Sequence, residues 1–347
     1  GKRVLTGKRV LTGKRVLTGK RVLTGKRVLT GKRVLTGKRV LTGKRVLTRQ
    51  NKLKIGCHVS ILPSIIDGIK YGETINANAI QIFLGSNRSA SMKTKTKLSE
   101  TDIMEIRNYI KRKNIILLIH SIYLLNFCIA GPDSGRVKYM HDNINYDLQL
   151  GSQLGAKCVV LHLGFAKDIQ RDIAISNLID NINRILDKNK KNNIRLALET
   201  SAGQGSQIGY TLEELAIIWN GVKKNRNKVG ICIDTAHIFV SGYDISNVIG
   251  LKNYMEKFNN LIGWENIINF HINDSRWGLG MRKDEHRGIG NGMIYKDTEG
   301  INALKYLIHF CKIRNIPMIL ETHGAASSSN NSSGGYKNDI SLIHKLV

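Results

Sequence analysis

Residues 158–164 read CVVLHLG, an apolar run that ends on His162 with a glycine two residues further on. One histidine at such a place is ordinarily a half-buried structural residue. This chain repeats the arrangement. Short runs rich in Ile, Val and Leu end at His58, His120, His162, Glu199, Asp234, His271 and Glu321; AIQIFLG (79–85) is the run without a titratable ending. Burying so many ionisable groups with no compensating partner is very costly. Imidazoles and carboxylates that meet at a common centre are instead a ligand set for zinc or a similar divalent ion. Two loops extend the set. IDTAH places His237 three residues after Asp234, and GMRKDEHRGIGNG carries Asp284 and His286, whose spacing in extended chain points both side chains to one side. A cluster of divalent ions suits phosphodiester hydrolysis, because it activates water, orients the phosphate and stabilises the departing oxygen.

Such residues meet only if the elements carrying them are arranged alike. From Lys52 onward the short runs alternate with longer segments of 3.6-residue periodicity. SETDIMEIRNYIKRK opens with a capping-box pattern at Ser99 and Asp102, and TLEELAIIWNGVK places Thr211 and Glu214 in the same roles. Strand–helix alternation implies parallel strands joined by helical crossovers. The runs KIGCHVS, AIQIFLG, IILLIHS, CVVLHLG, IRLALET, VGICIDT, IINFHIND and PMILET number eight. They span about 270 residues, the count and length of a (β/α)8 TIM barrel. Their strands all run one way, so the polar endings converge on the C-terminal rim, where barrel active sites lie. A doubly wound open sheet is the competing architecture, but no Gly-rich nucleotide fingerprint follows the first strand. AGQGSQIG (202–209) lacks the Gly-Lys-Ser/Thr of a P-loop and misses the dinucleotide spacing. No nucleotide cofactor is expected.

Composition sets the frame. The chain has 347 residues and a formal charge of +28. Residues 1–48 are GKRVLT repeated eight times, whose sixteen cations leave 38 basic against 26 acidic residues, or +12, in the body 49–347. A period-six β-helix would stack like charge on like charge. The arm therefore reads as a disordered basic segment able to add non-specific affinity for phosphate backbones. Cys57, Cys128, Cys158, Cys232 and Cys311 are odd in number and lack a CxxC, which fits free buried thiols in a reducing compartment. No apolar stretch reaches the roughly 20 residues of a membrane span. The expectation is a soluble, intracellular monomer that binds no membrane.

The ordered set H…H…ETSAGQGSQIG…CIDTAH…FHIND…DEH…LET resembles the endonuclease IV family, the type-2 apurinic/apyrimidinic endonucleases. The likeness runs from about Ile55 to the C-terminus and is most specific in HSIYLLN, LETSAGQGSQIG, GICIDTAHIFVSGYD and the FHIND-to-DEH segment. It implies three zinc ions held by nine side chains. His120, His162 and Glu199 would hold one, with Glu199 bridging to a second completed by Asp234, His271 and Glu321. His237, Asp284 and His286 would hold the third. Arg88 and Tyr123 match positions that enter the DNA at the damaged nucleotide, whereas His58 is outside the ligand set. Glu199 would fix the metal spacing and Glu321 would position or deprotonate the attacking water. The implied activity is incision of double-stranded DNA 5′ of an abasic site in base excision repair, leaving a 3′-hydroxyl and a 5′-deoxyribose phosphate, with trimming of blocked 3′ ends. Ala236 stands where the family commonly has Cys, Arg276 where Lys is usual, and GMRKDEH replaces a more typical GSxxDRH; these leave the ligand types intact. GAASSSNNSSGG, before the final segment YKNDISLIHKLV, reads as a flexible insertion.

Two other functions remain to be weighed. A divalent-metal sugar isomerase or epimerase would use the same barrel with one or two ions. A non-catalytic, metal-stabilised DNA-binding protein would have no reason to keep an open trinuclear site.

Overall fold

The computed structural model describes residues 52–86, 89, 91–131, 135–223, 225–322 and 335–347, together with five short strands in the repeat. The chain divides into two units, Gly1–Lys52 and Leu53–Val347. In the first, Arg3–Leu5, Arg21–Leu23 and Arg39–Leu41 pair in parallel, as do Arg15–Thr18 and Arg33–Thr36, each residue opposite an identical one. The expected disorder of the remaining arm lies outside the described residues, as does the Ser/Asn-rich stretch at 323–334.

The second unit is a closed barrel of eight parallel strands in sequential order. They are β1 (Ile55–His58), β2 (Ala79–Phe83), β3 (Ile116–His120), β4 (Cys158–Leu161), β5 (Arg195–Glu199), β6 (Val229–Asp234), β7 (Ile267–His271) and β8 (Met318–Leu320). β8 pairs with β1, Leu320 opposite Cys57, and closes the ring. Helices cover the outside: α1 (Ile65–Thr74), α2 (Glu100–Lys113), α3 (Gly135–Leu154), α4 (Arg171–Lys188), α5 (Leu212–Gly221), α6 (Thr235–Val240), α7 (Val248–Leu261), α8 (Thr298–Arg314) and α9 (Gly335–Lys345). No helix among the described residues is long and apolar enough to cross a membrane. All five cysteines are free and buried.

The strand period of two explains how the barrel builds its site. Ala79, Leu118, Val160, Ala197, Cys232 and Ile319 pack in one cluster within the ring. Two residues on from these come Gln81, His120, His162, Glu199, Asp234 and Glu321. These six strands thus place a small or apolar side chain in the lower layer and a polar one at the rim, while on β7 the lower position beneath His271 is the polar Asn269. The outer faces pack against the helices in a far larger apolar cluster.

Local chemistry sets the helix starts. Ser99 accepts from the Asp102 amide (3.1 Å) and Asp102 accepts from the Ser99 amide (2.9 Å), the reciprocal box expected for α2. α5 departs from expectation. Thr211 caps the Glu214 amide at 3.2 Å, but the Glu214 carboxylate turns away to accept from the Gly209 amide (2.9 Å) and from Arg171 Nη2 (2.8 Å). A charged partner outcompetes the neutral N-cap amide for that carboxylate.

Candidate metal centre at the barrel rim

Asp234 ends β6 and is also the N-cap of α6. Its Oδ1 accepts from the His237 amide at 2.9 Å, so the three-residue spacing is that of a cap and the third residue of a helix. Oδ2 is left to face the centre, held by Asn273 Nδ2 at 2.7 Å. His286 is placed by a two-residue antiparallel ladder, in which Ser275 lies opposite His286. Glycine at 164, just past His162, is required: φ is +107° and a Cβ would stand 2.2 Å from Asn126 Oδ1.

The titratable endings converge. Glu199 Oε2 lies 2.9 Å from His162 Nε2 and 3.3 Å from His120 Nε2. Its other oxygen, Oε1, lies 2.9 Å from His271 Nδ1, which is also 3.0 Å from Glu321 Oε2 and 3.7 Å from Asp234 Oδ2. Asp284 stands between two imidazoles, 3.1 Å from His237 Nε2 and 3.2 Å from His286 Nε2, and the latter is 3.7 Å from Asp234 Oδ2. Among the described residues five overlapping sets of donor atoms lie within 4.8 Å of one another: His120, His162 and Glu199; His120, His271 and Glu321; Glu199, Cys232 and His271; Glu199, Asp234, His271 and Glu321; and Asp234, His237 and His286, with Asp284 beside the last but outside it. His58 lies beside the second set, its Nδ1 3.8 Å from Glu321 Oε1. Tyr123 is 44 % exposed, its ring centroid 5.0 Å from that of His162. Arg88 lies outside the described residues.

The electrostatics call for cations. Glu199, Asp234 and Glu321 are all but inaccessible, and among the described residues only imidazoles ion-pair with them or with Asp284. Burial alone would lift Glu199 and Glu321, but His162 and His271 beside the first and His271 beside the second hold both carboxyls well below their ordinary range. Burial opposes charge on His286, yet Asp234 and Asp284 raise it to about 9.

Two observations test whether a divalent ion fits. Buried Nε2 atoms of His237 and His286 make no hydrogen bond, although Asp284 oxygens stand 3.1 and 3.2 Å away. Both nitrogens lack the alignment of a hydrogen bond to Asp284, as expected of lone pairs directed at a shared ion. The opposite nitrogen of His237 is anchored, Nδ1 to the Thr200 carbonyl at 2.8 Å, and His120 is held likewise, Nδ1 to the Ser121 carbonyl at 2.6 Å. Donation there leaves each Nε2 free to ligate, the usual outer support of a metal-binding histidine. The residues fit.

Above the donors opens a cavity of about 730 Å³, walled in part by Phe83, Tyr123, Phe165, Gln204 and Tyr336. Some participants carry no sequence signal of chemistry. Thr200, Asn273 and Gln81 are neutral side chains, fully or nearly buried, that hydrogen-bond to the candidate donor residues. A polar residue at an inward position of an otherwise apolar strand, as Gln81 is in AIQIF, was the available clue.

The profile of the xylose isomerase-like TIM barrel family matches residues 69–346. A protein from Campylobacter fetus subsp. fetus named "Probable endonuclease 4" is 34% identical over 273 residues, 77% of this chain and 92% of that protein. The crystal structure of endonuclease IV from Thermus thermophilus superimposes with a TM-score of 0.68 at 22% identity, covering 84% of this chain and 98% of that one. A D-tagatose 3-epimerase-like protein shares the fold at a TM-score of 0.61 and 19% identity, covering 85% of this chain and 97% of that one.

Proposed function

This chain belongs to the xylose isomerase-like TIM barrel family and, within it, to the endonuclease 4 nucleases, and we propose that it incises DNA at the phosphodiester 5′ of an abasic site. Three zinc ions are the cofactors this reading requires. His120, His162 and Glu199 would hold one; Glu199, Asp234, His271 and Glu321 the second; His237, Asp284 and His286 the third. When bound, such ions lower the pKa of water and offset the charge of the phosphate and of the leaving oxygen.

The chain's own residues supply the rest. The two oxygens of Glu199 face different donor sets, so this one carboxylate fixes the spacing of two sites. Glu321 lines the cavity, as Asp284 and Glu285 do, whereas Glu199 and Asp234 lie beneath it; Glu321, 3.0 Å from His271, is the carboxylate we assign to orient the attacking water and take its proton. Water adds at phosphorus and the bond to O3′ breaks. The upstream strand keeps a 3′-hydroxyl, and the phosphate stays on the 5′ carbon of the baseless sugar. The proposal extends to trimming of blocked 3′ ends, since the bond broken there is again a phosphate ester at a 3′ oxygen.

Recognition needs no base reading. Phosphates are gripped by cations, and a lesion lacking its base costs little to extrude. Arg282, Lys283 and Arg287 flank Asp284 and His286 on the same exposed loop and are placed to grip the strand. Tyr123 and Arg88 are the candidates to fill the gap left by the base.

The observation that supports this reading is the group of Asp234, His237 and His286, with Asp284 3.1 and 3.2 Å from the two imidazole nitrogens that lack a hydrogen bond among the described residues. A sugar epimerase on this fold would have no use for it. The test is a duplex carrying one tetrahydrofuran abasic analogue, incubated with and without chelator, beside elemental analysis of the purified protein. Chelator-sensitive incision and close to three metals per chain support the proposal; no incision, or one metal per chain, removes it.

A further inference from the structure

Gln81 is fully buried on β2, the strand whose run lacks a titratable ending. Its carboxamide meets three residues of the site at once. Nε2 lies 2.6 Å from Glu321 Oε1 and 3.1 Å from His58 Nδ1, and Oε1 lies 3.0 Å from His271 Nε2.

We propose that Gln81 is a positioning residue of this centre: it dictates which nitrogen of His271 carries the lone pair, pins one oxygen of Glu321, and sets the tautomer of His58. The assignment follows by elimination. An ionised carboxylate only accepts, so the amide group facing Glu321 must be the NH2, and the two ends of Gln81 cannot be exchanged. Its carbonyl oxygen then faces His271 Nε2, which must donate. The proton of His271 is therefore on Nε2, and the lone pair is on Nδ1. That is the atom 2.9 Å from Glu199 Oε1 and 3.0 Å from Glu321 Oε2. The second hydrogen of the NH2 faces His58 Nδ1, which must accept, so His58 carries its proton on Nε2. That nitrogen is buried without a partner among the described residues, and the His58 and Phe83 ring centroids are 4.3 Å apart.

Each neighbour on the rim therefore has its hydrogen-bonding role imposed from one amide. His120 and His237 take the same support from backbone carbonyls. His271 sits where the carbonyl support is replaced by a side chain, and a carboxamide offers two donors and an acceptor in fixed directions. A neutral histidine has one N–H and could not donate to both Glu321 and His58, and Glu or Asp would add a fifth negative charge to the centre.

The effect on catalysis rests on the nuclease reading, whereas the tautomers do not. Full-length protein labelled with 15N-histidine and loaded with zinc should show, in two- and three-bond nitrogen–proton correlations, protonated Nε2 at both His58 and His271. A proton on Nδ1 of either overturns the proposal. Gln81→Met keeps the length and loses both donor and acceptor. It should release zinc to a chromophoric chelator roughly 10- to 100-fold more readily, the usual cost of removing such a support. It should also broaden His271 into mixed tautomers and lower kcat with KM changed less than twofold. Zinc retention within twofold of wild type overturns the proposal. Should Gln81→Met fail to fold, the wild-type spectrum decides alone. Correct tautomers in a protein that incises nothing would remove the nuclease reading and leave the role of Gln81 standing.

Discussion

Asp274 offers the sharpest test of how the rim is held. Its side chain is fully buried and ligates no metal in the reading above. Oδ1 accepts from the amides of Ser275 (2.8 Å) and Ile294 (2.8 Å). Oδ2 accepts from those of Gly290 (3.0 Å), Gly292 (3.1 Å) and, at a longer 3.4 Å, Tyr295. The loop from His286 to Tyr295 is wound around this one carboxylate, and Gly292 has no side chain because a Cβ would stand 2.4 Å from Oδ1. Replacing Asp274 by Ala strands the donors. Ser275 and Ile294 are buried, and a hydrogen bond to a charged group contributes roughly 1.5–3 kcal/mol. Gly290 and Gly292 are partly exposed, so water substitutes at little cost. The loss is then about 4 kcal/mol, and about half that for Asp274→Asn, which keeps one acceptor oxygen. A local loss of that size speeds amide exchange at Ile294 and Tyr295 about a thousandfold, since 1.36 kcal/mol is tenfold. Mass-resolved hydrogen exchange of the peptide spanning 286–297 reads this directly. Less than tenfold acceleration in Asp274→Ala would show that the carboxylate does not organise the loop.

Further expectations concern metal, substrate and pH. His237→Ala should drop the metal content by one per chain and incision by at least 100-fold by gel assay; unchanged metal content would dissolve the third group. Arg282→Ala and Lys283→Ala should each shallow the salt dependence of DNA binding by close to one phosphate contact, about 0.9 in log–log slope, whereas equal slopes would place the strand elsewhere. Deleting residues 1–48 should leave incision intact and flatten the same slope; full affinity at every salt concentration would show the arm to be idle. Asp339 on α9 is buried away from cations, which pushes its carboxyl up to about 6. Its folded pKa exceeds the unfolded one, so its favourable contribution is complete below pH 4 and is lost as pH rises through 6. That loss is about 3 kcal/mol, and Asp339→Asn should abolish it, gaining stability over wild type between pH 4 and 7 in urea titrations.

The barrel and the convergence of its titratable strand ends were legible because both obey short-range rules. Strand runs ending on His162, Glu199 and Asp234 advertise themselves, since ionisable groups beside Ile and Val are rare unless paired. What escaped was neutral or competitive. Gln81 and Asn273 matter only through partners 190 and 39 positions away, His271 and Asp234, and no local pattern encodes those contacts. Glu214 satisfied the capping-box spacing, yet Arg171, 43 residues earlier, claimed its carboxylate. Phe83 and Phe165 wall the cavity, and no local pattern marks either for that place.

The ring is sealed by the pairing of Met318, Ile319 and Leu320 with Ile55, Gly56 and Cys57, and Glu321 follows directly. A chain must therefore be synthesised through Glu321 before this centre can assemble. Any product that stops short of Met318 lacks both the closing ladder and the carboxylate beyond it, and leaves the other donors of the rim on an unclosed sheet.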